Sequence, residues 1–336
     1  MRQILFVSSP GDSRISCWEI DSDNGALNFM SASNVEGRPS PMAADIENLR
    51  LYIGRRDIPQ ISTYAYDIMS GRLSHHSDGA VLHSDPCYIS LDKTKNYILG
   101  AYYSAGGVSV NKVVDGVVDK DIDWMPTGFG AHCVMTDVSN DYVMLPHIAG
   151  EQGINTIRSY RFDSEKGQLT PNNPSTYDQK DNRGPRHFVF HPNGKFVYFS
   201  NEQECSVTAY KYEEGRIEEI QTQSTLPMHY SGVNTCAQIR ITSDGKFLYA
   251  PNRGHDSIAC FSVNKSTGLL KSIGRTPTEA TPRVLDVDIT GKYLYSAGLD
   301  SGYLSAFSIG DKGKLKFIDR YEVGKEPMWV LVVPGE

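Results

Sequence analysis

Arginine side chains recur at corresponding places in a repeated pattern along this sequence, and a histidine and a glutamate occupy two further such places. These residues are Arg55, Arg186, Arg253, Arg283, His132 and Glu202. Because guanidinium groups form paired hydrogen bonds with carboxylate or phosphate oxygens, four of them in one site would bind a small anion. The histidine and the glutamate could supply a general acid or base beside that anion. A single arginine is more often solvated or paired with a neighbouring acid, so the prediction depends on a fold that gathers these residues.

The segment GPRHFVFHPNGKFVYFSNE, residues 184–202, contains two of the candidates. Its two runs rich in β-forming residues are separated by an Asn-Gly turn, which is a strong local signal for a β-hairpin. In such a hairpin the start of the first strand and the end of the second lie at the same edge. Arg186 and Glu202 are therefore expected to be neighbours.

The second strand of this hairpin recurs throughout the chain, and the repeat predicts the fold. Its central residues are Phe6, Tyr52, Leu99, Met144, Tyr198, Tyr249 and Tyr295, at spacings of 45 to 54 residues. A third strand, a glycine-containing turn and a fourth strand follow each copy. Seven units of four antiparallel strands predict an all-β, seven-bladed β-propeller that spans residues 1–336 as a single domain.

The two ends of the chain are expected to close the ring. Residues 4–9 are a second-strand type without a first strand before them, and residues 327–333 are a first-strand type with nothing after them. The terminal strands should therefore share one blade, and this closure removes exposed sheet edges.

In a propeller of this kind the starts of the first strands and the ends of the second strands surround one mouth of the central channel. The six candidates should meet there, together with His147 and Asn252, which follow or end second strands. His187 should point away from Arg186 because successive strand residues face opposite sides, so we expect it to pack.

Composition narrows the possible functions. The net charge of -7 provides no basic face that would bind a nucleic-acid backbone. The N-terminal residues lack the long apolar core of a signal peptide, and the sequence has no run of eighteen apolar residues that would indicate a membrane span. A cytoplasmic location is the expectation. The six cysteines stand singly, without a zinc or disulfide pattern, and Glu202 alone offers too few oxygens for a hard cation. We therefore expect neither a metal nor another cofactor.

Several segments carry a resemblance to a known family. GPRHFVFHPNGKFVYFSNE, APNRGHDSI, TPTEATPR and EPMWVLVV resemble those of the bacterial seven-bladed 6-phosphogluconolactonases, whose lactonase family includes fungal 3-carboxy-cis,cis-muconate lactonising enzymes. The likeness covers the whole chain and is most specific in the fifth to seventh blades.

The resemblance implies catalytic roles for His132, Arg186, Glu202 and Arg253, while Arg55 and Arg283 match further family arginines. His147 departs from the family pattern, and residues 150–153 resemble an inserted loop. A change beside the mouth could alter substrate choice.

The first functional hypothesis is a metal-independent lactonase that converts 6-phosphogluconolactone to 6-phosphogluconate in the oxidative pentose phosphate route. Its partner would be this small anionic sugar-phosphate lactone, and the protein a monomer or weak homo-oligomer. Arg186 and Arg253 would stabilise the oxyanion, Arg55 and Arg283 would hold the phosphate, and either Glu202 or His132 would be the base. The alternatives are a cycloisomerase acting on a carboxymuconate and a propeller that serves as a non-catalytic binding platform.

Overall fold

The structure, a computed structural model, describes residues 2–150, 152–180 and 182–335. In these ranges the chain forms 29 β-strands and one 3-10 helix, Pro10–Asp12. The first fifteen strands are β1 (Gln3–Ser9), β2 (Arg14–Ile20), β3 (Leu27–Asn34), β4 (Pro39–Asp45), β5 (Arg50–Arg55), β6 (Gln60–Tyr66), β7 (Leu73–Asp78), β8 (Tyr88–Leu91), β9 (Tyr97–Tyr102), β10 (Gly107–Val114), β11 (Val117–Pro126), β12 (Met135–Thr136), β13 (Tyr142–His147), β14 (Thr156–Asp163) and β15 (Gln168–Asp178). The remaining strands are β16 (Pro185–Phe190), β17 (Phe196–Asn201), β18 (Ser206–Glu213), β19 (Arg216–Ser224), β20 (Thr235–Cys236), β21 (Arg240–Ile241), β22 (Phe247–Arg253), β23 (Ser257–Val263), β24 (Leu270–Pro277), β25 (Pro282–Val287), β26 (Tyr293–Gly298), β27 (Tyr303–Ile309), β28 (Leu315–Glu322) and β29 (Trp329–Pro334).

Seven antiparallel sheets form the blades of a propeller, which confirms the predicted fold. All but one of these sheets have four strands. The sheet of the sixth blade has five, because its innermost strand is divided into two short strands, β20 and β21, which both pair with β22. The first blade has the order β29, β1, β2, β3, so the two terminal strands share it as expected. Phe6 of β1 lies opposite Leu331 of β29, and this pairing closes the ring.

The second strand of each blade is buried in the hydrophobic core. Its central residue is at most 1% exposed in every blade, as the repeat predicts for Phe6, Tyr52, Leu99, Met144, Tyr198, Tyr249 and Tyr295. Burial of such large side chains is the dominant favourable contribution to folding.

Tyrosines of three second strands also tie each blade to the next one. The hydroxyl groups of Tyr198, Tyr249 and Tyr295 donate to carbonyl oxygens in turns of the following blade at 3.0–3.1 Å. The acceptor for Tyr198 is Gly268, which has a φ of +74° and packs against the ring of Phe196. Glycine suits this turn because a Cβ would contact that ring and because a positive φ is unfavourable for other residues. These three hydrogen bonds link the fifth, sixth, seventh and first blades in that order.

Within the described ranges, no helix has the length and apolar character needed to cross a bilayer.

Candidate active site

A cavity of about 210 Å³ lies at the mouth of the channel where the first strands start and the second strands end. Its lining consists of Arg56, Cys87, Tyr103, His132, Ile148, Arg186, Glu202, Arg253 and Arg283. A larger groove, of about 1070 Å³, lies on the opposite face, among turns that join first to second strands and third to fourth strands. That groove has four carboxylates and two lysines in its lining, so its charge does not favour an anion. The small cavity is therefore the candidate active site.

β-Bulges direct two of the arginines into the cavity. In β16 one extra residue, Arg186, lies between positions that pair with neighbouring residues of β17. Arg283 holds the same place in β25 opposite β26. A bulge changes the direction of a side chain relative to regular alternation. The Pro-Arg dipeptide at the start of both strands is the local sequence that builds this feature.

Glu202 connects two of the cavity arginines. Its backbone N–H donates to the carbonyl oxygen of Gly184 at 2.6 Å, which fixes the residue directly after β17. Its Oε2 lies 2.7 Å from Nε of Arg186 and 3.2 Å from Nη2 of Arg253. Arg253 also donates from Nη2 to the carbonyl oxygen of Cys236 at 2.7 Å. The expected proximity of Arg186 and Glu202 is thus confirmed, and Arg253 joins them from the next blade.

The arginines keep Glu202 ionised. Burial by itself favours the neutral acid, but the positive charges of Arg186, Arg253 and Arg283 outweigh it, and the pKa of Glu202 lies below its usual value of 4.5. The carboxylate is therefore negatively charged at neutral pH.

The positive charges in the cavity exceed the negative ones. Burial, followed by repulsion from the other arginines, lowers the pKa of Arg283 to about 9. Burial lowers the pKa of Arg186 to about 10, although Glu202 opposes this change. Both values still leave the guanidinium groups charged at pH 7. A ligand that brings negative charge would relieve the repulsion, so the cavity is suited to an anion.

His132 is held in its neutral form. Burial first, and then the charges of Arg186 and Arg283, place its pKa well below 6.5. Its backbone N–H donates to the carbonyl oxygen of Pro146 at 3.0 Å, whereas its Nδ1 has no hydrogen-bond partner among the described residues. The ring of Tyr103 lies 6.0 Å away, centroid to centroid. A neutral imidazole has one unprotonated nitrogen, which can accept a proton.

His187 packs edge-to-face against His132 and is not part of the cavity lining. Its ring centroid lies 5.1 Å from those of His132 and Tyr88 and 6.4 Å from that of Trp329. The residue is 3% exposed, and burial followed by the charge of Arg186 holds its pKa well below 6.5. It packs in the channel, as the sequence predicts.

The structure brings together His132, Arg186, Glu202, Arg253 and Arg283, and it corrects the expectation for Arg55. The guanidinium group of Arg55 turns back into its own blade, where Nη2 donates to Gln60 and lies 3.2 Å from Asp78. Arg56, one residue later, lines the cavity instead. Alternation along the strand is the signal that could have identified Arg56, because neighbouring arginines at a strand end point to opposite sides.

His147 and Asn252 also lie outside the cavity lining. His147 is fully buried, with Nε2 at 2.7 Å from Oγ1 of Thr127, and burial lowers its pKa to about 3. Asn252 accepts hydrogen bonds from Thr225 and Asn234 at 2.7 and 3.1 Å. Both side chains are occupied with contacts that hold neighbouring loops. The sequence placed them correctly near second-strand ends but could not show which way they point.

The cavity lining contains few side chains that could ligate a metal ion. In the ranges that the structure covers, no group of three or more His, Cys, Asp and Glu side chains could hold a metal ion. Glu202 is the only carboxylate that these ranges contribute to the cavity lining. Cys87 and Tyr103 line the cavity from the third blade, and burial raises the pKa of the Cys87 thiol to about 11. Cys87 is therefore protonated at neutral pH.

Similarity to known proteins extends over the whole chain. Residues 4–332 match the family described as "Lactonase, 7-bladed beta-propeller". A 6-phosphogluconolactonase of Serratia proteamaculans (strain 568) is 32% identical in an alignment of 337 positions that covers 99% of each chain. The periplasmic gluconolactonase of Pseudomonas aeruginosa has a TM-score of 0.91 at 23% identity over 100% of both chains. A protein of Lactobacillus plantarum has a TM-score of 0.86 at 22% identity over 99% of this chain and 100% of its own. The two solved structures support the propeller fold.

Proposed function

Because this chain belongs to the lactonase family of seven-bladed β-propellers, we propose that it hydrolyses 6-phospho-D-glucono-1,5-lactone to 6-phospho-D-gluconate. Family membership and the full-length relative make the chain a lactonase, an enzyme that opens a ring ester with water. The phosphorylated substrate is the proposed part. We further propose that the reaction serves the oxidative pentose phosphate route in the cytoplasm.

The observation that carries the proposal is the charge of the cavity. Four guanidinium groups surround one carboxylate in about 210 Å³, and burial together with mutual repulsion lowers the pKa of Arg283. A phosphate monoester brings a charge of about -1.5 to -2 at pH 7, which would offset this excess. A neutral sugar lactone would not.

In the proposed mechanism, the oxygen of a water molecule attacks the carbonyl carbon C1 while His132 accepts a proton from that water. We assign the base to His132 rather than Glu202 because the neutral imidazole lines the cavity without an ion-pair partner among the described residues, whereas Oε2 of Glu202 already faces two arginines. The phosphate of the substrate would counter the arginines and raise the basicity of His132.

The arginines beside Glu202 would stabilise the charge that develops on the carbonyl oxygen. Arg186 and Arg253 are held by Glu202, so they are oriented before the substrate binds. When the bond between C1 and the ring oxygen breaks, the proton on His132 passes to that oxygen and yields the C5 hydroxyl. Arg283, which lies outside the Glu202 ion pairs, would contact the phosphate.

The test is hydrolysis of freshly generated 6-phosphoglucono-δ-lactone, coupled to a dehydrogenase that consumes 6-phosphogluconate, with the spontaneous rate subtracted and a chelator present. We expect a chelator-resistant rate far above background, and a loss of at least about a hundredfold in Arg186→Ala and Glu202→Ala, because preorganised groups at an oxyanion typically contribute this much. Arg38→Ala and Glu326→Ala are matched controls, since these residues form an exposed ion pair on the same face at 2.6 Å. A wild-type rate equal to background would refute the proposed function.

The second candidate reaction is ring closure of a carboxymuconate, because a cluster of guanidinium groups binds carboxylates as well as phosphates. Turnover of 3-carboxy-cis,cis-muconate, with no activity on the phosphorylated lactone, would favour it.

A further inference from the structure

Arg56 lines the cavity from the second blade, and its ion-pair partner differs from that of Arg186 and Arg253. Its Nη2 lies 3.3 Å from Oδ2 of Asp85, while its backbone N–H donates to the carbonyl oxygen of Arg38 at 3.2 Å. Its side chain is 28% exposed, so it stands at the rim of the cavity rather than at the floor.

The cavity therefore contains two pairs of arginines with different surroundings. Arg186 and Arg253 face the carboxylate of Glu202. Arg283 has no acid within ion-pair distance among the described residues, and Arg56 has only the rim acid Asp85. Arg56 and Arg283 are near enough for the charge of Arg56 to contribute to lowering the pKa of Arg283.

The charge of the lining matches a dianion. Four arginines and Glu202 give a net charge of +3, and inclusion of Asp85 reduces it to +2. In the proposed substrate, C1 is separated from phosphorus by the ring oxygen, C5, C6 and the ester oxygen. The phosphate therefore needs a binding place next to, but distinct from, the arginines that stabilise the carbonyl oxygen.

From these contacts we infer that Arg56, together with Arg283, forms the phosphate subsite and makes the enzyme selective for phosphorylated over unphosphorylated lactones. Asp85 orients the Arg56 guanidinium and partly neutralises it until the phosphate arrives. This inference rests on the proposed function, which it deepens by naming the group that distinguishes the two substrate classes.

The test compares Arg56→Gln with the wild type on 6-phosphoglucono-δ-lactone and on D-glucono-δ-lactone. We expect kcat/KM for the phosphorylated lactone to fall about tenfold to a hundredfold, mainly through KM, because a hydrogen bond between charged groups is lost. The rate on the unphosphorylated lactone should stay within about twofold, since Arg56 is not at the carbonyl. Arg38→Gln is the matched control and should change neither rate.

A second variant tests the same inference in the opposite direction. Asp85→Asn keeps the shape of the rim but removes the acid that competes for Arg56, so KM for the phosphorylated lactone should decrease. Equal losses on both lactones in Arg56→Gln would overturn the inference and leave the proposed function intact.

Failure of the proposed function has a different signature. If the wild type does not hydrolyse the phosphorylated lactone above background, titration with inorganic phosphate by calorimetry tests the subsite by itself. Binding to the wild type that is lost in Arg56→Gln would support the anion site, whereas equal binding to both would refute it.

Discussion

Replacement of Glu202 by Gln removes the only carboxylate that the described residues place in the cavity lining. Arg186 and Arg253, which are 3% and 12% exposed, then lose the counter-ion that lies within 2.7 and 3.2 Å of them. Removal of one partner from a buried ion pair typically costs about 3–5 kcal/mol, because a buried charge remains uncompensated. We expect the lower end, about 3 kcal/mol, since Glu202 itself is 15% exposed and water can approach.

This loss is measurable as a change in thermal or urea unfolding. The entropy of unfolding near 60 °C is about 2.1 cal/mol/K per residue, so in a chain of 336 residues a loss of about 3 kcal/mol should lower Tm by about 4 °C. Glu326→Gln is the control, because Glu326 is 47% exposed in its pair with Arg38 and such pairs contribute under about 1 kcal/mol. If Glu202→Gln were as stable as the wild type, the arginine cluster would not need its carboxylate, and the electrostatic account of the cavity would be refuted.

The pH dependence gives an independent check on the same variant. The pKa of Glu202 is lower in the folded protein than its usual 4.5, so the folded state binds fewer protons than the unfolded chain at acid pH. Its contribution to stability is full above pH 4.5 and is lost as the pH falls through the lower folded value. The difference in stability between wild type and Glu202→Gln should therefore be constant above about pH 5.5 and shrink below pH 4.5.

Three further substitutions test the rest of the structure. His187 is neutral in the fold because burial holds its pKa well below 6.5, so below that pH the unfolded chain binds more protons at this residue. His187 should therefore contribute up to about 1.4 kcal/mol per pH unit to the loss of stability, in addition to the losses from His132 and His147. His187→Phe should reduce the slope by that one contribution in urea titrations at pH 7 and 5. Thr127→Val leaves the buried Nε2 of His147 without its partner and should cost about 1–3 kcal/mol, while kcat/KM stays within about twofold; a large loss of activity at unchanged stability would contradict the structural role. Gly268→Ala forces a positive φ on alanine and directs a Cβ at the ring of Phe196, which should cost about 2–4 kcal/mol in urea unfolding, and a neutral effect would show that the turn can rearrange.

The fold was predictable because its information is local and repeated. Each blade contains a hairpin whose strands alternate apolar and polar residues around a turn. Because the hairpin recurs seven times, the number of blades can be predicted even where one copy matches the pattern poorly. The interruption of the innermost strand into β20 and β21 was not predictable, because it depends on pairing with β22 rather than on a local turn signal. The shared terminal blade followed from the type of strand at each end, and the pairing of β1 with β29 confirms it.

The sequence by itself determined which strand ends surround the mouth, since in a hairpin the start of the first strand and the end of the second share an edge whatever the details of packing. This is why Arg186 and Glu202 were correctly expected to be neighbours, and why the structure gathers His132, Arg253 and Arg283 around them. Only the tertiary structure decided the direction of each side chain. It turns Arg55 back to Asp78 and leaves Arg56 in the cavity, because a strand's neighbours face opposite sides and bulges change that alternation.

Protonation states belong to the tertiary structure for the same reason. The charge of Glu202 and the neutrality of His132 arise from burial among arginines of several blades, and no local pattern records how far those charges are from one another. The sequence determined the inventory of ionisable groups at the mouth. Their distances and their exclusion from water, which set their chemistry, exist only once the ring has closed.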